Sequence, residues 1–170
     1  MPPAAEEAER LPPISIQPGT WSTVQAMVQQ KAGRIVVVDI WSTSCAPCLK
    51  ELPRLNELQQ TFPDTVTCIS LNVDYVGIKT KPPEYYAAKI MKALELCDAH
   101  YTNIQCATEA ELLFRELKLS SIPAVYVYDR KGGLVRRFDA SMLDKDSVEE
   151  EPFTYEQDVE PLVRRLVNEG

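Results

Sequence analysis

The chain is 170 residues long, 45% hydrophobic and 25% charged, with a formal net charge of −7. These values fit a soluble globular domain long enough to bury a sizeable core. No apolar run reaches the length of a membrane-spanning helix, and no basic stripe offers a footprint for nucleic acid.

The acidity is local. Between Asp144 and Glu160 lie eight acids and one base, Lys145, while the other 17 acids and 17 bases of the chain cancel. Such a run reads first as a solvated loop and helix start, and second as a surface that docks a partner. Five cysteines do not make a disulfide framework in a chain of this size. Cys68, Cys97 and Cys106 have no close cysteine neighbour in sequence and read as small buried hydrophobes.

Residues 1–13 (MPPAAEEAERLPP) lack the basic start and apolar core of a secretory signal. They read as a flexible linker of the kind that follows a removed signal or anchor, ahead of a single domain over 14–170. Residues 14–17 (ISIQ) predict a short edge strand and "PGT" a turn. Thr20 or Ser22 can cap a helix running to about Gln30, with Gly33 suited to its C-terminal end. The run Ile35–Ile40 is β-branched and apolar except for Asp39, which is the pattern of a central parallel strand covered on both faces. Ser44 is placed to cap a helix that runs through two cysteines to about Phe62. Pro47 falls in its first turn, where a missing N–H costs nothing. Pro53 falls inside, where it removes the bond to the Leu49 carbonyl and should kink the helix.

Residues 66–74 (VTCISLNVD) predict a second buried strand, so 35–74 is a strand–helix–strand unit. Residues 75–100 hold a loop and then a helix from about Glu84 to His100, whose Tyr86, Ile90, Leu94 and Cys97 share one face. "NIQCA" predicts a short strand, and "TEAELLFRELKL" a helix with a Thr108–Glu111 capping box. "SSIPAVYVYDRKGGLVRRF" reads as a hairpin turning at "RKGG". A last helix begins near Asp158, with Pro161 in its first turn and Val159, Leu162, Val163, Leu166 and Val167 on one face. The expected fold is α/β, a central mixed β-sheet flanked by helices, with a helical insertion over 75–100 after the second core strand.

The chemistry centres on "IWSTSCAPCLKELP", residues 40–53, where two residues separate Cys45 from Cys48. The spacing alone serves redox chemistry or half of a metal site. A structural zinc takes four ligands, yet the chain has no second such pair. A copper carrier wants a nearby histidine, and His100, the only one, lies 52 residues beyond Cys48. Redox is therefore preferred, with copper or zinc binding as its rival. At a helix N-terminus the unpaired N–H groups favour a thiolate, and Cys45 is the more exposed candidate. Cys45 is assigned as nucleophile and Cys48, a turn further in, as the resolving thiol. Pro47 stiffens the turn between them.

Asp39 lies in the middle of an apolar strand, six residues before Cys45. Burial should raise its pKa and keep it largely protonated, placing it to take the proton of Cys48 as a general base. The rival reading puts it at a bulge or strand end, hydrogen-bonded at the surface. Glu51, three residues after Cys48, shares its helix face and either tunes the thiols or is an ordinary exposed glutamate. Pro123, taken alone, simply starts a strand, a permitted place.

Together, "VVVDIWSTSCAPC", the acid before the first cysteine and "SSIPAVYVYD" resemble the thioredoxin superfamily. "LKELP" after the pair and the helical insertion are similar to its TlpA/ResA-type branch of thiol–disulfide oxidoreductases, over roughly 14–170. The resemblance implies that Cys45 attacks, Cys48 resolves, and Asp39 and Glu51 are the acids beside the pair. It implies a cis bond before Pro123, a proline facing the disulfide. Ile122 would offer backbone groups to an extended substrate segment, and Trp41 would pack beside the site. Ser44 stands where the family commonly carries a second tryptophan, and Ala46 where it commonly carries glycine or a longer residue. With Pro47 these two form the rim that would set substrate preference.

The implied activity is disulfide exchange with protein substrates, as a reductase, with an upstream thiol reductase as electron donor. No organic cofactor or metal is expected beyond the redox-active pair, and a monomer is expected. The implied location is extracytoplasmic, with a cytoplasmic one left open. A redox-inert adaptor docking through 144–160 is the further alternative.

Overall fold

The computed structural model describes residues 11–140 and 152–170. Residues 1–10 of the expected linker, and residues 144–151 of the acidic stretch, lie outside the described residues.

Six strands form one sheet: β1 Gln17–Gly19, β2 Ile35–Trp41, β3 Val66–Asn72, β4 Thr102–Cys106, β5 Ala124–Tyr128 and β6 Leu134–Phe138. Their spatial order is β1-β4-β3-β2-β5-β6. The two apolar runs read from sequence are the central pair. Every residue of β2 and β3 is buried, as expected of parallel strands covered on both faces. They pair in parallel from Ile35 opposite Val66 to Trp41 opposite Asn72. β4 and then β1 extend the parallel side. On the other side β5 runs antiparallel to β2, with Asp39 opposite Val125, and β6 completes the hairpin. At the turn the Asp129 carboxylate accepts the N–H groups of Lys131 and Gly133, both at 2.9 Å. Gly132 there has φ +78°, a conformation that suits glycine.

Five helices cover the sheet: α1 Trp21–Gln30, α2 Ala46–Thr61, α3 Ala87–Leu96, α4 Ala110–Leu117 and α5 Glu160–Glu169. Side chains alternate across a strand, and the packing follows that period. Val36, Val38 and Ile40 of β2 pack with Trp21, Val24 and Val28 of α1 and Leu113 of α4. Ile35, Val37 and Trp41 pack with Leu52 and Leu55 of α2, Ile90 and Leu94 of α3, and Leu162 and Val163 of α5. Asp39 shares the register of this second set, so the strand delivers its carboxyl to the α2 face.

Several boundaries differ from the sequence reading. β1 starts three residues later than expected, and includes Pro18 rather than turning there. An edge strand tolerates the missing N–H. The 75–100 segment joins β3 to its parallel neighbour β4. It opens with a 3₁₀ turn, Pro83–Tyr86, and its helix ends at Leu96, not His100. Asp98, at φ +52°, turns the chain out of the helix. α4 is preceded by Glu109 at the capping position, without a side-chain cap, so the Thr108–Glu111 box does not form. α5 starts two residues later than expected, after one turn of wider π-type helix, Tyr155–Val159.

Candidate active site

The end of β2 and the start of α2 meet at the cysteine pair. Cys45, not Ser44, is the N-cap of α2, and its sulfur accepts the N–H of Cys48 at 3.3 Å. The sulfur takes the place that a hydroxyl cap would fill. Ser44 instead pairs its hydroxyl with that of Ser42 at 2.9 Å, and its N–H reaches the Ser42 Oγ at 3.2 Å. Cys45 and Cys48 form a disulfide with Cα atoms 5.3 Å apart. Cys45 is partly exposed, whereas Cys48 is 0% exposed and joins the core of the α2 face. Of the two cysteines, Cys45 is therefore the one that solvent reaches. Ala46 and Pro47 are exposed in the first turn of α2, beside Ser44.

Pro53 lies inside α2 as expected. It has no N–H for the Leu49 carbonyl, and the Cys97 sulfur lies 4.0 Å from that oxygen as donor. The Tyr101 hydroxyl donates to the Leu52 carbonyl at 3.3 Å. Two side chains from the stretch between α3 and β4 thus meet the helix at the weakened turn.

A second carboxylate fixes the loop ahead of the pair. Asp74, just past β3, accepts the Thr43 N–H at 2.8 Å and the Thr43 hydroxyl at 2.6 Å. Asn72 closes the arrangement: its amide donates to Asp74 at 3.2 Å, and its carbonyl oxygen accepts the Asp74 N–H at 2.9 Å. Sequence reading passed over these residues. The signal was present, since Asp74 ends an apolar strand and a buried carboxylate there needs partners.

Asp39 is 1% exposed, in the middle of β2. The reading that placed it at a surface strand end does not hold. Burial pushes its carboxyl up to about 7, a hydrogen bond from Tyr155 opposes the rise, and the nearby charge of Glu51 adds to it. The Tyr155 hydroxyl donates to Asp39 Oδ2 at 2.5 Å. Oδ1 is buried with no hydrogen-bond partner among the described residues. Tyr155 was not singled out from sequence. It lies 116 residues from Asp39, and no local pattern joins the two.

Glu51, half-buried on α2, is close enough to act on Asp39 through its charge. Trp41 is 0% exposed, packed in the same core cluster as Cys48, so it lies beneath the site and not on its rim. The Ile122–Pro123 peptide bond is cis. Ile122 and Cys45 line one open cleft of about 490 Å³, together with Ser42, Ser44, Val76 and Phe114.

No protein-family model matches the chain. Among curated proteins it is similar to the thioredoxin-like protein YneN of Bacillus subtilis, 22% identical over 127 residues, covering 75% of this chain and 68% of that protein. Among solved structures it is similar to a thioredoxin-like protein from Porphyromonas gingivalis, with TM-score 0.58 and 25% identity, covering 82% of this chain and 79% of that one. A secreted disulfide oxidoreductase of Mycobacterium tuberculosis aligns with TM-score 0.51 and 14% identity, covering 82% and 84% of the two chains. The chain has a thioredoxin-like fold.

The thioredoxin-like fold is one that thiol–disulfide oxidoreductases use, and here it carries the Cys45–Cys48 disulfide at its strand-to-helix turn. The remaining cysteines stand apart from that chemistry. Cys68, Cys97 and Cys106 are buried free thiols, and burial pushes all three pKa values up, which suppresses the reactive thiolate. His100 lies 2.8 Å from the Pro12 carbonyl through its Nδ1. Among the described residues no three histidine, cysteine or acidic side chains converge as a metal site, and no helix is long and apolar enough to cross a membrane.

Proposed function

We propose that the protein is a thiol–disulfide oxidoreductase that reduces disulfides in protein substrates. The observation that carries this reading is an accessible Cys45 bonded to a buried Cys48 at the N-terminus of α2, with a buried Asp39 on the same side of the sheet. In the reduced protein, the helix N-terminus stabilises the Cys45 thiolate. That thiolate attacks one sulfur of a substrate disulfide, forming a mixed disulfide and releasing the other substrate sulfur as thiolate. Cys48 gives its proton to the Asp39 carboxylate and attacks Cys45. The Cys45–Cys48 bond forms, and the second substrate sulfur leaves as thiolate. The substrate gains two electrons and the pair loses them, so the pair itself is the two-electron carrier. A separate thiol reductase must then restore it.

The cleft shared by Cys45 and Ile122 is the docking place proposed for the substrate segment. Ser44, Ala46 and Pro47 are exposed where that segment would pass, and the small hydroxyl of Ser44 leaves the rim open. An extracytoplasmic setting is proposed with the reductase role, supported by the secreted Mycobacterium tuberculosis oxidoreductase that shares the fold.

The test is reduction of a protein disulfide, such as that of insulin, by the reduced protein, with two variants. Cys45→Ser should lose the activity, by at least about a hundredfold, because no other accessible thiol can replace it. Cys48→Ser should accumulate a mixed disulfide on Cys45, visible by mass spectrometry. A Cys45→Ser variant as active as wild type would contradict the reading.

A further inference from the structure

We infer that Tyr155 is a positioning residue for the resolving step: its hydroxyl holds one oxygen of Asp39 and keeps the other for the proton of Cys48. The inference rests on the oxidoreductase reading and extends it to a residue outside the cysteine motif.

Tyr155 is 1% exposed, and its hydroxyl donates to Asp39 Oδ2 at 2.5 Å inside the core. With Oδ2 so engaged, Oδ1 is the oxygen without a partner among the described residues. A buried carboxylate oxygen left unpaired is costly, and such sites occur where a group has a task beyond stability. Asp39 lies on β2 between Val37 and Trp41, which belong to the same core cluster as Cys48 and Tyr155. Asp39 and Cys48 are 1% and 0% exposed, so both groups are shut off from solvent. The phenol supplies what burial withholds. Desolvation raises the Asp39 pKa and the Tyr155 bond lowers it, so the bond keeps a fraction of the carboxyl ionised near neutral pH and able to accept a proton.

The turn that carries Tyr155 is itself anchored. Thr154 caps it, accepting the Gln157 N–H at 3.1 Å, and Asp158 accepts the Thr154 N–H at 3.0 Å. Arg54, directly after Pro53 on α2, reaches Glu160 at 3.4 Å and Glu156 at 3.5 Å. The helix that bears the cysteines thus also holds the turn that bears the tyrosine. Among the described residues, the other titratable groups that act on Asp39 or feel its charge include Glu51 on α2, Cys68 on β3, and Cys97 and Tyr101 between α3 and β4. Burial holds Cys68, Cys97 and Tyr101 in their neutral forms around neutral pH, which leaves Glu51 as the other charge to control.

The experiment compares wild type, Tyr155→Phe, Asp39→Asn and the double variant. The Asp39 carboxyl is followed by carbon NMR in the oxidised protein, a readout that needs no turnover. The rate of mixed-disulfide resolution is followed against pH in the reduced protein. Tyr155→Phe should raise the Asp39 midpoint by about one to two pH units and slow resolution at pH 7 about tenfold, with recovery toward pH 9. In the Asp39→Asn background, Tyr155→Phe should change the resolution rate less than about twofold. An Asp39 midpoint that stays or falls in Tyr155→Phe overturns the inference. So does a rate loss that is equal at all pH values and persists in the Asp39→Asn background, since that is the mark of a general packing defect. If wild type reduces no disulfide at all, the oxidoreductase reading fails on its own, separately from the carboxyl titration.

Discussion

Asp39 sets the terms at the residue scale. Its carboxyl titrates near 3.8 when exposed and near 7 in the fold. The folded protein therefore binds this proton more tightly than the unfolded chain. The resulting stability is fully present below about pH 4, falls as pH rises toward 7, and is gone above it. Asp39→Asn removes that dependence. Chemical denaturation of the oxidised protein at pH 5 and pH 9 should show the variant gaining on wild type as pH rises, by at most about 3 kcal/mol, since part of the effect is already lost at pH 5. An equal difference at both pH values would contradict the burial argument. On the proposed mechanism, the buried carboxyl near neutrality is what exchanges a proton with Cys48. Here the sequence was legible: a lone acid in "IVVVDIW" has few places to go but the core. Its partner was not. Tyr155 reaches Asp39 only because the last helix packs on the α2 face, a tertiary fact with no local trace.

The element that decides site geometry is the loop between β2 and α2. The sulfur of Cys45 caps the helix from one end, and Asp74 holds Thr43 two residues earlier through a backbone and a side-chain bond. The capping pattern misled at this point because serine is the commoner cap, while here the Cys45 sulfur accepts the Cys48 N–H. A similar local rule failed at Thr108, where Glu109 holds the capping position. The patterns that did hold were the buried runs of β2 and β3, the β5–β6 hairpin, and the places of Pro47 and Pro53 in α2. Asp74→Ala should leave the Thr43 N–H and hydroxyl without their acceptor. The expected loss is about 2–3 kcal/mol in thermal or chemical unfolding, with disulfide exchange slowed as the loop loosens. A variant as stable as wild type would show that the loop is held by its other contacts.

At the scale of the whole molecule, the described helices pack three on the side of Asp39 and two on the other. The α2 side gathers Asp39 and the cysteine pair from one stretch of chain and Tyr155 from another, 116 residues beyond Asp39. The class of fold was readable because a strand–helix–strand unit with the pair at its turn leaves few topologies. The edge strand β1 was not placed well, since three residues carry little pattern and their pairing depends on β4. What the molecule does with its disulfide depends on the free energy difference between its two redox forms. The most direct measurement is the reduction potential of Cys45–Cys48, obtained by equilibrating the protein in dithiothreitol or glutathione buffers and trapping free thiols. A reductase should lie near thioredoxin's potential, about −270 mV. A potential near −120 mV, as in a strong oxidant, or a disulfide that does not exchange with the buffer at all, would contradict the proposed function.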